Sequence, residues 1–295
     1  MSETLLHLEI LKVQGPATIQ DGGRPGRMTE GVPAGGALCP ERLALANLSL
    51  GNRWSAPAIE SFGTLVVAPR GGPLVLSGDG APVFAEEGEE LTFTRSRDQR
   101  LIYLAVSGGF DIPPVLGGCG TLMVASLGGF EGRVLRRGDR IPLAAAIRGV
   151  GDLPARRGPL REDPPAPIRI VAGPDLDRFG ADALEQLCSH PYAVSPASDR
   201  VGMRLEGPAL ARIGDDGGIS LPMVRGAIQV ARGGVPIVFG PDHPVTGGYP
   251  ILAAVIRADW GRLEERPLGS EVRFRCVSLE EARAAWRDEA LPLFA

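Results

Sequence analysis

Residues Ile10–Pro16 read ILKVQGP, and residues Ile168–Pro174 read IRIVAGP. Each is an apolar-rich run of strand length stopped by a glycine–proline pair, a turn signal that ends a ladder. Three more echoes follow in the same order. RPGRMTEG at Arg24–Gly31 matches RVGMRLEG at Arg200–Gly207 at four positions with identical spacing. GGPLVL at Gly71–Leu76 pairs with GGVPIV at Gly233–Val238, and GEELTF at Gly88–Phe93 with GSEVRF at Gly269–Phe274. Glycine turns recur by chance, but a shared order does not, so the echoes predict an internal duplication into two halves of similar fold.

Between the halves lies VGDLPARRGPLREDPPAP, Val150–Pro167, rich in proline and charge and poor in large apolar residues. It reads as an exposed connection and places the domains at 1–160 and 161–295. Short apolar runs punctuated by glycine and proline predict strands at Leu8–Val13, Leu65–Ala68, Leu74–Ser77, Leu101–Val106, Ile168–Ala172, Pro236–Phe239 and Val272–Val277. Helices are few. One opens at Pro40 and stops at Gly51, a second covers Asp177–Ser189, and a third follows a Ser278–Glu281 capping box. The expected fold is mainly β, and a cleft between two β domains is the expected location of a ligand site.

The formal charge of −4 argues against a general nucleic-acid binder, although 31 basic residues leave room for a local basic patch. Cys39, Cys119, Cys188 and Cys276 lack C-x-x-C spacing and the three histidines lie far apart, so no metal site is expected. No apolar run is long enough for a membrane span, and the start MSETLLHLEILK lacks a basic leader, so a cytoplasmic protein with reduced thiols is expected. Lys12 is the only lysine, and no phosphate-binding G-x-x-x-x-G-K-[ST] loop occurs.

The densest polar-glycine segment is DHPVTGGYP at Asp242–Pro250, between two apolar strands. Gly247 and Gly248 are expected to reach positive φ and present N–H groups to an anion, with Asp242, Thr246 and Tyr249 adding directed hydrogen bonds. The plainer reading is a tight turn with Tyr249 packed beneath it. QDGGR at Gln20–Arg24 and SDRVG at Ser198–Gly202 are two more such turns. Arg24 and Arg200 suit a two-point grip on a carboxylate, while an aspartate beside an arginine also suits a purely local contact that fixes the loop. Gln229 stands in an apolar strand and needs either a buried partner or a cleft. His243 has the chemistry of an acid–base group, although a solvent-exposed histidine before proline is the commoner case.

Together these motifs resemble the carboxyltransferase-like family that includes the C subunit of 5-oxoprolinase, the second subunit of allophanate hydrolase, and KipA. The similarity runs through GPATIQDGGRPG (Gly15–Gly26), EGVPAGGAL (Glu30–Leu38), ALANLSLGN (Ala44–Asn52), APAIE (Ala56–Glu60), YLAVSGGFDIPPVLG (Tyr103–Gly117) and GRVLRRGDRIPL (Gly132–Leu143). It continues through SDRVGMRLEG, GAIQV, PIVFGPD, TGGYPIL and EVRF to Phe274. The resemblance implies two cyclophilin-like β-barrel domains. It implies one component of an ATP-dependent amide or lactam hydrolase, opening 5-oxo-L-proline to L-glutamate, with substrate bound by Arg24, Arg200, Gln229, Asp242, Thr246, Gly247, Gly248 and Tyr249. The implied partners are a KipI-like protein and a lactam-utilisation protein, the other two components of such a hydrolase, with ATP acting at the level of the complex. Two other activities follow from the same resemblance: a non-catalytic partner of a KipI-like protein, and a carboxyltransferase using biotin. The chain departs from the family's pattern at Cys39, in Gly117–Thr121 around Cys119, at Val245 and at Glu265 with Leu268.

Overall fold

The computed structural model describes residues 5–79, 81–144, 166–214 and 219–294. The connection read at Val150–Pro167 lies, except for its last two residues, outside them. The chain forms two compact units, Met1–Pro25 with Gly35–Glu162, and Gly26–Ala34 with Asp163–Ala295. It is mainly β, and among the described residues there are four α-helices. None of these is long and apolar enough to cross a membrane.

Among the described residues the first unit holds nine strands: β1 (His7–Gln14), β2 (Ala17–Gln20), β3 (Ala58–Ser61), β4 (Thr64–Arg70), β5 (Leu74–Gly78), β6 (Ala81–Ala85), β7 (Leu91–Thr94), β8 (Ile102–Val106) and β9 (Arg140–Pro142). They form two antiparallel sheets, in the orders β7-β4-β1-β9 and β2-β3-β8-β5-β6. Two of the chain's passages between the sheets, β1 to β2 and β3 to β4, are neighbouring corners. Gly15 turns with φ 83° between β1 and β2, and the corner at Gly63 comes so close that a Cβ would stand 1.8 Å from the Gln14 carbonyl oxygen.

Period-2 alternation decides what each face of β8 buries. Leu104 and Val106 join Leu8, Ile10, Ile59 and Leu65 in the core that both sheets line. Tyr103 and Ala105 face helix α1 (Pro40–Leu48), meeting Leu43 and Ala46. Proline at the first helical position and Gly51 at φ 71° beyond the end bound that helix as its sequence predicts.

The second unit contains β10 (Ile168–Ala172), β11 (Tyr192–Val194), β12 (Gly202–Glu206), β13 (Leu221–Pro222), β14 (Ala227–Val230), β15 (Pro236–Phe239), β16 (Thr246–Gly247), β17 (Ile251–Val255), β18 (Glu271–Val272) and β19 (Phe274–Cys276). One sheet runs β18-β11-β12-β15-β14-β17-β10-β19. Its two outer members are halves of a single extended segment interrupted only at Arg273. Val272 pairs with Tyr192 on one side and Phe274 with Ile168 on the other, so the sheet nearly closes into a barrel. Closure removes the unpaired edges that an open sheet would leave. Ile170, Val194, Leu205, Ile228, Val238 and Val255 fill the interior, joined by Ala183 and Leu187 of helix α2 (Ala183–Ser189).

Two local readings needed correction. The helix expected over Asp177–Ser189 is broken: Leu176–Arg178 is a 3-10 turn, Phe179 is extended and bridges to Arg212, and Gly180 separates it from α2. Helix α3 (Trp260–Glu264) was not foreseen, because five residues carry too little periodicity to announce themselves. The capping box ahead of helix α4 (Leu279–Ala285) is present. The Glu281 N–H donates to Ser278 Oγ at 3.1 Å and the Ser278 N–H to Glu281 Oε2 at 2.7 Å.

Candidate functional site

The Gln20–Arg24 turn in the first unit is held from inside. Asp21 accepts from the Gly23 N–H at 2.8 Å and from the Cys119 N–H at 2.6 Å. Arg24, 1% exposed, donates from Nε to the Val115 carbonyl at 3.2 Å and from Nη2 to the carbonyls of Gly118 and Gly120. The expected local Asp21–Arg24 contact does not form, since both side chains are spent on the backbone of the 115–120 loop. Cys119 donates its thiol to the Ile112 carbonyl at 3.2 Å, and burial, then the Asp21 charge, pushes that thiol up from its ordinary pKa.

The echoing turn at Ser198–Gly202 is built differently. Asp199 caps the N–H groups of Val201 and Gly202, and Arg200 reaches 42 residues onward to Asp242. Nε and Nη2 of Arg200 lie 2.8 and 3.1 Å from Oδ2 and Oδ1 of Asp242, and the Asp242 N–H donates to the Arg200 carbonyl at 3.1 Å. Gly202 then opens β12, whereas the equivalent Met28–Glu30 is a 3-10 turn after Pro25 and Gly26, the latter at φ 85°.

This buried pair anchors the Asp242–Pro250 loop. Beyond it, β16 pairs with β13, Gly247 opposite Leu221 and Thr246 opposite Pro222. Gln229 Nε2 donates to the Tyr249 carbonyl at 2.8 Å, tying β14 to the loop. The structure thus brings Arg200, Gln229, Asp242, Thr246, Gly247, Gly248 and Tyr249 onto one loop and its supports, and leaves Arg24 in the first unit's own loop cluster.

The expected backbone anion nest is absent, because neither Gly247 nor Gly248 adopts a positive φ. Gly247 instead lies close under neighbouring side chains: a Cβ there would stand 3.1 Å from Gln229 Nε2 and 3.2 Å from Met223 Sδ, tight contacts that would make those side chains shift. Tyr249 is not packed beneath the turn but is 39% exposed, with the Arg212 guanidinium 5.5 Å from its ring centroid. The exposed Thr246 and Tyr249 hydroxyls have no partner among the described residues.

His243 is buried rather than exposed, stacked on Phe239 with its Nδ1 2.8 Å from the Pro244 carbonyl. A carbonyl only accepts, so Nδ1 carries the proton and Nε2 the lone pair. Burial first, then the Arg225 charge, lowers the imidazole pKa against the opposing effects of the Pro244 carbonyl and Asp242.

Two features escaped the sequence reading. One is a buried network in the first unit: the Tyr103 hydroxyl donates to Glu60 Oε2 at 2.5 Å, and the same carboxylate oxygen accepts from the Leu38 N–H at 2.8 Å. The Cys39 N–H donates to the Tyr103 hydroxyl at 2.9 Å, which gives the departure at Cys39 a place beside this network. The other is an open groove of about 850 Å³ in the first unit, lined by Asp21–Gly23, Asn52–Pro57 and glycines of neighbouring loops. Its sequence signal was a tryptophan between arginine and serine just after a helix-ending glycine. Among the described residues, no group of histidine, cysteine, aspartate or glutamate side chains is arranged to hold a metal ion.

The family of the carboxyltransferase domain, subdomain A and B, matches residues 30–276. The chain is 36% identical over 96% of its length to the C subunit of Escherichia coli 5-oxoprolinase, covering 95% of that protein, and 33% identical to the Haemophilus influenzae protein of the same name. It is 29% identical to urea amidolyase of Saccharomyces cerevisiae, where it spans 17% of the relative. Among solved structures, Kluyveromyces lactis urea carboxylase aligns over the whole chain with TM-score 0.86 and 25% identity, the match occupying 30% of that longer chain. The sequence motifs, the β-barrel architecture and these similarities together place the chain in the carboxyltransferase domain A and B family.

Proposed function

We propose that this chain is the substrate-binding component of a cytoplasmic, ATP-dependent hydrolase that opens a cyclic amide, 5-oxo-L-proline, to L-glutamate. The observation that carries the reading is the Thr246–Tyr249 loop. It offers two hydroxyls without partners among the described residues, on a base fixed by the buried Arg200–Asp242 pair. The Thr246 and Tyr249 hydroxyls are suited to orient and polarise a lactam carbonyl, with the Gln229 amide holding the Tyr249 backbone beneath them, and Gly247 and Gly248 leave room for its approach. Arg200, Asp242 and Arg24 act as positioning residues, since their polar groups are engaged within the chain. The extensive similarity to the C subunit of 5-oxoprolinase supports this reading.

ATP enters at the level of the complex. The only lysine, Lys12, stands exposed in β1 and not in a phosphate-binding loop, and no step is assigned to ATP on this chain. The partners in this reading are a KipI-like protein and a lactam-utilisation protein. Co-expression with both partners should give ATP-dependent glutamate release from 5-oxoproline. Thr246→Ala and Tyr249→Phe should each lower that release about 10-fold or more, as expected for lost orienting contacts. A well-folded complex without release removes the reading.

The similarity to urea amidolyase favours a second reading, carboxyl transfer from biotin to urea. It predicts retention of the chain on a biotinylated carrier protein. The engagement of Arg24 and Arg200 inside the chain favours a third, a non-catalytic partner of a KipI-like protein. That reading predicts binding without turnover in any complex.

A further inference from the structure

The groove of the first unit is assigned nothing by the function proposed above, yet it is built with unusual care for a surface loop. The segment carrying Arg53, Trp54 and Ser55 is pinned from below by Asn47, whose side chain is fully buried. Asn47 Nδ2 donates to the carbonyls of Trp54 at 3.3 Å and Ala56 at 2.8 Å. Asn52 extends the brace. Its Nδ2 donates to Asn47 Oδ1 at 3.1 Å and to the Val106 carbonyl at 2.8 Å, while its Oδ1 accepts from the Gly108 N–H at 3.1 Å.

The facing wall is tied to the same segment. The Gly22 N–H donates to the Ser55 carbonyl at 3.3 Å, and Gly22 must lack a side chain because a Cβ would stand 2.8 Å from Ser55 Cβ and 3.2 Å from Trp54 Cη2. The indole of Trp54 therefore rests on bare backbone and is half-buried. The buried Asn47 and half-buried Asn52 side chains fix the backbone of this segment, and the Gly22–Ser55 backbone hydrogen bond ties it to the facing wall, so the groove's shape exists before anything enters it.

What remains unsatisfied on this rigid frame defines a ligand. Arg53 and Ser55 both line the groove; Arg53 is exposed and has no acidic partner among the described residues, and the Ser55 hydroxyl has no hydrogen-bond partner among them either. A guanidinium beside an indole wall suits a carboxylate attached to a flat group: the planar fork takes the carboxylate, and the ring takes the flat face. We propose that this groove is a binding site for a small planar carboxylate, with Arg53 holding the carboxylate, Trp54 supplying the flat wall and Ser55 donating a hydrogen bond. The inference rests on the first unit alone and stands or falls separately from the hydrolase reading.

The test is titration of the full chain with three probes, followed through the Trp54 indole resonance by NMR. Benzoate is flat and charged, benzamide flat and neutral, cyclohexanecarboxylate charged and not flat. Benzoate is expected to shift the Trp54 signal and to bind about fivefold more tightly than either comparison compound. Arg53→Ala should erase the preference over benzamide while leaving the benzamide affinity unchanged. Trp54→Leu, followed by ligand-detected NMR, should erase the preference over cyclohexanecarboxylate, and Trp54→Phe should restore it. Because Arg53 is exposed, its variant folds normally and keeps the test decisive even where Trp54→Leu does not. No shift at Trp54 with benzoate up to about 20 mM, a range that reaches millimolar affinities, overturns the proposal. So does a charge preference that survives Arg53→Ala.

Discussion

Arg200 and Asp242 meet in a two-point ion pair, 2.8 and 3.1 Å, although neither lies near the other in sequence and both are almost completely buried. The pair joins the turn before β12 to the loop that carries Thr246 and Tyr249. Removing either member breaks this buried pair, which costs about 3–5 kcal/mol in comparable cases. Arg200→Ala and Asp242→Ala should therefore lower the urea midpoint strongly, whereas replacing both together by Met and Leu should recover much of the loss. Unchanged midpoints in the single variants would show that the pair does not anchor the loop.

His243 makes stability depend on pH. Its folded pKa is lowered, chiefly by burial, while the unfolded imidazole titrates near about 6.5. Below that pH the unfolded chain takes up a proton that the folded chain still refuses. The contribution is thus fully present above about pH 6.5 and is lost as pH falls toward the lowered folded value. Asp242, Arg225 and the Pro244 carbonyl surround the ring and set that value. His243→Phe keeps an aromatic ring against Phe239 and should flatten the pH dependence of the unfolding free energy in this window.

Gly240 stands against the backbone of Arg200, where a Cβ would fall 2.4 Å from the carbonyl oxygen. A carbonyl in a pinned turn cannot move aside as a flexible side-chain tip would. Gly240→Ala should cost about 1–3 kcal/mol, the usual range for forced overpacking, and chemical denaturation would register it. Wild-type stability in this variant would mean that the turn yields freely.

Tyr103→Phe removes one hydroxyl that both donates to Glu60 and accepts from the Cys39 N–H. The loss should be about 1–3 kcal/mol, the penalty for taking a hydrogen-bond partner from buried polar groups. Burial and the Glu60 carboxylate hold the Tyr103 hydroxyl well above its ordinary pKa. No tyrosinate absorbance from Tyr103 should appear on mild alkaline titration of the folded chain.

Local chemistry made much of the fold legible. Short apolar runs between glycine and proline turns marked β1, β4, β5 and β10, proline at a first turn marked α1, and serine three residues before glutamate marked α4. These signals act between residues a few positions apart, so the chain carries them before it folds. The candidate loop at Asp242–Pro250 was visible for the same reason, as glycines and polar residues between two strands.

What the loop does with those residues was settled only by tertiary packing. Gly247 looked like a residue chosen for positive φ, has none, and instead lets Gln229 and Met223 come close. Arg24 and Arg200 looked equivalent, yet one clamps three carbonyls and the other meets a carboxylate. An arginine's partner is whichever acceptor the folded chain brings within about 3 Å of its fork, and that depends on how distant strands register. Barrel closure through the single break at Arg273 is of the same kind. Sequence determined the strands and turns through near-neighbour forces, and only the three-dimensional arrangement decided which buried polar groups face one another, because hydrogen bonds are short-ranged and chain separation does not limit them.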